Sequence, residues 1–419
     1  MNLLLLKNYF RVIPFLSIAA IITGMLLSRS LISIGMISMA AYAVIVTDVR
    51  KNFRIFSSDK ILVALTFIFF IYVISGINSS NSVYWIDRVR MKLPFLFMPF
   101  SFSVLKNNFS KRLYNLFLYL FFMLVSITSI VAMVQYLKQY DEVNNMYAHG
   151  SVLQTPFNHL RYSLMVAFSI FIGIYLYIQK FQLFYSFEKW VIALFTLFLI
   201  FFLHILAVRS GLIGFYIGAL YGIGTSLFIK RKYKATLLSF AAIISFPVIS
   251  YLTFPTMQGR LSYVIYDLHQ LFQDNHAAHL SDASRILSLQ KGWELTKENI
   301  LTGVGIGDLN DAMRYKLDLA PQHPDYLLPL NQFLVFAAGT GIIGALIFTI
   351  IILMPFFKRI NRQHSLTMIF LLISVFSLIT DCALEEQIGT AFFLTFLLLF
   401  YLYNQNRDDA IAIGSNYNL

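Results

Sequence analysis

Four arginines have surroundings that suggest chemistry. Arg209 sits in Ala207-Val208-Arg209-Ser210-Gly211, with an apolar run long enough to span a bilayer on either side. A charge near membrane depth is costly and usually serves a purpose. One reading is a side chain at a helix junction that snorkels to the outer interface. The other is a guanidinium facing a cavity, where its planar fork suits a diphosphate. Arg285 lies in a stretch with apolar residues at helical spacing, Ser284 to Leu295. Arg260 follows Gly259 just after an apolar run, and Arg161 stands in Asn158-His159-Leu160-Arg161-Tyr162 at an outer helix start. Taken singly, Arg285 and Arg260 read as solvated charges and Arg161 as an interfacial anchor. Together with Arg209 they describe an outward-facing site that favours anions.

Other chemistries find little support. His269, His276, His279 and His323 show no HExxH or other close ligand spacing, and His276 with His279 at i, i+3 is a weak metal pair. The run Gly303-Val304-Gly305-Ile306-Gly307-Asp308 lacks the strand, helix and spacing of a dinucleotide fingerprint and reads as a turn. There is no nucleophile elbow, phosphate-binding loop or cysteine cluster, and Cys382 is the single cysteine. No cofactor and no metal are expected.

The elements that must position these residues are membrane helices. The chain has 419 residues, 58% hydrophobic and 12% charged, with 42 Phe and 24 Tyr. A soluble domain carries about twice that charge. Apolar segments at 12–28, 31–47, 61–77, 93–105, 114–136, 160–178, 190–208, 210–229, 235–254, 329–356, 366–380 and 390–404 predict an all-α, polytopic bundle of about twelve spans. The first has a charged lead, Lys7 and Arg11, but Ser28-Arg29-Ser30 is a poor cleavage site, so it reads as a retained helix. With the N-terminus in the cytoplasm, most basic residues fall on cytoplasmic loops, among them Lys60, Lys106, Lys230, Lys232 and Lys358. Arg29, Arg88, Arg90, Lys92, Lys138, Arg161 and Arg209 are left to outer loops and outer helix ends. Both termini are then cytoplasmic, and this bias accounts for the net charge of +12 without any nucleic acid.

The predicted organisation is nine helices over 1–254, a large periplasmic loop over 255–328, three further helices over 329–404 and a cytoplasmic tail over 405–419. In the loop, the Ser284–Leu295 stretch predicts a helix with Asp282 and Ser284 as caps. Asp381, Glu385 and Glu386 fall at an outer loop, and no inverted repeat of broken helices is visible, which speaks against a secondary transporter.

With these residues in place, nearly the whole chain resembles the O-antigen ligase / O-antigen polymerase superfamily of bacterial inner-membrane glycosyltransferases. The resemblance rests on Arg209 in AVRSGLIGF, Arg285 in SRILSLQKGWELTKENILTGVGIGD, Asn331 in NQFLVFAAGTGIIGALIF and the late segment LEEQIGTAFF. It implies a GT-C-like helical bundle in the inner membrane with an active site facing the periplasm. It implies a metal-independent transfer from an undecaprenyl-diphosphate-linked glycan. The acceptor is a lipid A-core hydroxyl for a ligase, or a second lipid-linked glycan for a polymerase. The donor's tail and the lipid A acceptor make membrane lipid a further partner. Arginines matching Arg209 and Arg285 hold the diphosphate, so positive charge replaces a metal. The family's base is a His just before the Asn, but Leu330 stands there in this chain. His323 in Pro321-Gln322-His323-Pro324-Asp325 is the nearest substitute, with Asp325 to orient it or act instead. A relative that binds lipid-linked glycan without turnover is the other consequence of Leu330.

Overall fold

A computed structural model describes residues 12–106, 109–228, 231, 233–273, 281–317 and 327–412. In chain order the helices are α1 (Ile13–Leu27), α2 (Arg29–Ala41), α3 (Val49–Ser58), α4 (Lys60–Ile74), α5 (Ser82–Ser103) and α6 (Lys111–Lys138). Next come α7 (Tyr140–Ala148), α8 (His159–Ile178), α9 (Glu188–Leu206), α10 (Arg209–Phe228), α11 (Tyr233–Thr253) and α12 (Pro255–Gln273). The chain continues with α13 (Ser281–Glu298), α14 (Leu309–Lys316), α15 (Gln332–Phe357), α16 (Arg359–Arg362), α17 (Ser365–Thr380) and α18 (Gln387–Ala412). A π-helical turn, Tyr42–Val46, extends α2, and 3-10 turns cover Ser75–Asn78 and Ala383–Glu385.

The chain is a multi-pass membrane protein. Among the described residues nine helices are long and apolar enough to cross a bilayer. That is fewer than the twelve the sequence predicts, for identifiable reasons. The apolar stretches 12–28 and 366–380 fall on the shorter helices α1 and α17. The stretch 93–105 is the second half of α5, whose first half carries Asp87, Arg88, Arg90 and Lys92. The segment predicted as a long loop contains three helices, α12, α13 and α14. The stretch around Arg285 is helical as expected, beginning at Ser281.

Short polar residues start several of the helices. Asp48, Asp59, Asn81, Asn158 and Asn331 each accept a hydrogen bond from a backbone N–H in the first turn of α3, α4, α5, α8 and α15. This satisfies donors that a helix start leaves without an intrahelical partner.

The described residues group into two compact units. The first comprises Met1–Phe117, Ser288–Thr367 and Leu378–Leu419; the second comprises Leu118–Leu287 and Met368–Ser377. In the second unit α8 is the enclosed helix, packed by α9 and α10, while α7 packs on α12. In the first unit α4 packs on α5 and α15, and α18 packs on α1 and α5.

The glycine run from Gly303 does form a turn, and it repairs a break in α15. Gly341 has φ 71° and ψ −178°, which interrupts the helix. The carbonyls of Ala338 and Gly339 accept instead from Val304 N and Gly305 N, at 2.8 and 3.1 Å. Ile342 N in turn donates to the Ile300 carbonyl at 2.8 Å. Broken backbone in a membrane helix survives only where protein supplies such partners. Below the turn, Leu295, Leu309, Met313, Leu328, Val335 and Ala338 form one apolar cluster that seats α13 and α14 on α15.

Candidate active site

The second unit gathers arginines at one end. α9 ends at Leu206, Ala207 takes a left-handed conformation (φ 47°), and α10 begins at Arg209. The sequence reading of two abutting spans around Arg209 is therefore a reversal within two residues. The first turn of α10 lies against the first turn of α8. Ser210 Oγ is 3.3 Å from Ser163 Oγ, and Ser210 Oγ donates to the Leu160 carbonyl at 3.4 Å. Gly211 permits this approach, because a Cβ there would lie 2.5 Å from Ser163 Cβ. Arg161, on that same turn of α8, is 5% exposed.

Arg260, on α12, joins this end through Tyr147. The α7 residue Tyr147 is wholly buried; its hydroxyl donates to the Leu206 carbonyl at 2.8 Å and accepts from Leu153 N at 3.2 Å. Arg260 donates to the Gly150 carbonyl at 3.1 Å and lies over the Tyr263 ring at 5.6 Å. Burial pushes the Tyr147 phenol above its ordinary range, against the Leu153 hydrogen bond and the nearby Arg260 charge, so it stays a neutral donor. Arg260 is 9% exposed, and Asp267 is buried further along α12. Arg209 is half-buried, and so is Arg285 near the start of α13. The helix starts that carry Arg161 and Arg209 thus lie side by side, and Tyr147 and Gly150 tie the end of α9 to the segment that Arg260 contacts. Helix starts present N–H groups and the positive end of a dipole, which suits an anion.

The first unit buries charge in another way. Lys92 and Glu385 form an ion pair at 2.8 Å, with side chains 0% and 3% exposed. Glu385 Oε1 also accepts from the Tyr72 hydroxyl and, at 2.7 Å, from Gln332 Nε2. The Lys92 ammonium donates to the Leu384 carbonyl and lies 4.5 Å from the Tyr72 ring centroid. Burial alone pushes the Glu385 carboxyl up, but the Lys92 charge and the three hydrogen bonds outweigh it and hold it below its ordinary value. Gln332 Oε1 accepts from Leu384 N at 2.9 Å, which ties the start of α15 to the same cluster. Asn331, one residue earlier, caps α15 by accepting from Leu334 N at 3.0 Å. Leu330 is half-buried and donates its backbone N–H to Ser288 Oγ at 3.1 Å.

Residues 192–349 match the family model described as O-Antigen ligase. Over that stretch, less than half of its length, the chain is similar to the O-antigen ligase family. That family comprises O-antigen ligase and polymerase-type membrane enzymes. None of the curated proteins compared with the chain matches it. Arg209, Arg260, Arg285, Asn331 and Gln332 lie inside the O-antigen ligase match, while Arg161, Tyr147, Lys92 and Glu385 lie outside it.

Arg260 and Arg161, which singly read as a solvated charge and an interfacial anchor, are both buried. His323 and Asp325 lie outside the described residues, as do His276 and His279. Among the described residues no group of three His, Cys, Asp or Glu is placed to hold a metal. Sequence reasoning misses Tyr147 and the Lys92–Glu385 cluster, placing Lys92 and Glu385 at outer helix ends and loops. The available signal is Arg88 and Lys92 at i, i+4, which puts two cations on one face of a helix entering an apolar run.

Proposed function

We propose that the chain is an O-antigen ligase that moves a glycan from undecaprenyl diphosphate to a lipid A-core hydroxyl on the periplasmic face of the bacterial inner membrane. The single observation that carries this reading is the side-by-side placement of the helix starts bearing Arg161 and Arg209, within the unit that also holds Arg260 and Arg285. Guanidiniums placed there neutralise a diphosphate in the ground state and, more strongly, as it departs with a full extra charge. In the transfer, the acceptor oxygen bonds to the anomeric carbon of the donor sugar. The bond from that carbon to the phosphate oxygen breaks, and undecaprenyl diphosphate leaves with the electron pair. The acceptor proton goes to a base. Leu330 has no group to take it, so we assign the role to His323, eight residues ahead of Asn331, with Asp325 as its orienting partner or its replacement.

The test is an in vitro transfer from lipid-linked glycan to rough lipopolysaccharide by the purified protein, with His323→Ala alongside. The reading expects transfer by the natural chain and its loss in the variant. Equal transfer by both would move the proton to another base such as Asp325. Absence of transfer by either would favour a glycan-binding relative without turnover, and Leu330→His would then be expected to leave the chain inactive.

The second reading is an O-antigen or capsule polymerase using the same donor, or a ligase with another acceptor, and the motive is again Leu330 at the acceptor-activating position. A deletion phenotype separates them. Loss of all long glycan on lipid A marks a ligase, and capping by a single repeat marks a polymerase.

A further inference from the structure

A cavity in the first unit, unrelated to the transfer site proposed above, has the chemistry of a lipid headgroup pocket. Its volume is about 520 Å³, and it lies between the start of α4, the turn after α5, the junction of α15 with α16, and the later turns of α18. Three ammonium groups line it from three separate elements: Lys60 opens α4, Lys106 follows α5, and Lys358 ends α15. The acid among the described lining residues is Asp59. Its carboxylate is engaged from within the protein, accepting from Ile61 N at 3.0 Å, Leu62 N at 3.3 Å, the Tyr401 hydroxyl at 2.7 Å and Gln405 Nε2. A carboxylate offers about four lone-pair sites, so these donors occupy it. Lys358 donates to the Tyr401 hydroxyl and lies 4.3 Å from that ring's centroid.

Among the described residues the lining therefore carries three positive charges to one negative, and the negative one is committed to its own helix start and to α18. The remaining wall is hydrocarbon, including Leu62, Phe102, Met354 and Leu398. A small hydrophilic anion has no use for such a wall, whereas an amphiphile with a phosphate head and acyl chains matches both halves. The location agrees. Lys60, Lys106 and Lys358 are among the basic residues whose distribution assigns this end to the cytoplasm, and the cytoplasmic leaflet is the anionic one. It is also remote from the buried ion pair: Asp59 precedes α4 and Tyr72 lies near its end, about 20 Å of helix away.

We propose that this cavity binds the headgroup of an anionic phospholipid, with the phosphate among Lys60, Lys106 and Lys358 and the chains along the apolar wall.

The full-length protein in detergent is titrated with phosphatidylglycerol, phosphatidylcholine or inorganic phosphate while its unfolding midpoint is followed. Phosphatidylglycerol raises the midpoint in a saturable way, and the other two do not. Lys60→Gln and Lys106→Gln each raise the half-saturating lipid concentration about fivefold, and the double variant multiplies the two. Lys60→Arg and Lys106→Arg retain the response. Equal stabilisation by phosphatidylcholine, full reproduction by inorganic phosphate, or an unaltered response in the double variant each overturns the proposal. A photoreactive phosphatidylglycerol on the unsubstituted protein gives an answer that does not depend on how the variants fold. It labels the turn at Lys106 or the later turns of α18; label spread evenly over the membrane helices contradicts the assignment.

Discussion

The two units bury charge by opposite strategies. In the first, Lys92 and Glu385 face each other at 2.8 Å, with Tyr72 and Gln332 also donating to the carboxylate. In the second, Arg161 and Arg209 stand on adjoining helix starts, and Arg260 belongs to the same unit. A buried pair bonded to residues of four elements fixes the packing of α4, α5, α15 and the turn before α18. Guanidiniums gathered beside helix N-termini add to one another's field and are suited to a highly charged anion. On the proposed function, the contrast separates charge that holds the fold from charge that does chemistry. Each variant below tests whether that division is drawn in the right place.

The largest effect on stability belongs to the matched pair. Lys92→Met leaves Glu385 buried without its cation and costs about 3–5 kcal/mol, read as a lowered unfolding midpoint. Lys92→Met with Glu385→Leu together recovers most of the loss, because the buried charge is then gone altogether. A double variant as unstable as the single one breaks the account of this cluster.

Next comes the effect on transfer. Arg209→Ala lowers turnover by about a hundredfold or more, with the unfolding midpoint little changed because the side chain is only half-buried. Arg209→Lys recovers part of the activity, since it keeps the charge but loses the planar fork. A loss of stability equal to that of Lys92→Met would place Arg209 with the structural charges instead.

Only one side of this division is legible in the sequence. Arg209 stood out because a charge between two full apolar runs is conspicuous without any knowledge of its neighbours. The Lys92–Glu385 pair was not visible because its members are 293 positions apart. Glu385 and Glu386 are adjacent residues of one type, and the structure buries the first while leaving the second half-exposed. The break at Gly341 was equally hidden. A glycine is tolerated inside a helix, and only the docking of the turn at Gly303 makes the interruption affordable. The segment 255–328 reads as a loop, with a helix only over Ser284–Leu295, because its helices are far more polar than the spans, and α13 and α14 pack on the cluster beneath them.

Tyr147 joins the arginine-bearing elements, so its removal should move both readouts. Tyr147→Phe leaves the buried Leu206 carbonyl and Leu153 N–H without their partner and costs about 1–3 kcal/mol. Transfer falls as well, because the hydroxyl fixes the end of α9 next to Arg209. A variant that loses stability with unchanged specific activity would show that Tyr147 supports only the fold.

The smallest effect is on pH dependence. The Glu385 carboxyl is held below its ordinary value in the folded chain, so its ionised form is favoured by folding. That contribution is fully present above the ordinary carboxylate value of about 4.3, and is lost as pH falls through the depressed folded value. Unfolding midpoints measured downward from neutral pH should therefore drop more steeply for the natural chain than for Glu385→Gln. Parallel curves would remove Glu385 from the acid response.

The division between structural and chemical charge is tested most directly by transfer itself. The natural chain and Arg209→Ala, both shown to be folded by their unfolding midpoints, are supplied with undecaprenyl-diphosphate-linked glycan and rough lipopolysaccharide. The account predicts glycan on lipid A core from the natural chain and about a hundredfold less or lower from the variant. Equal transfer by a folded Arg209→Ala chain would contradict it.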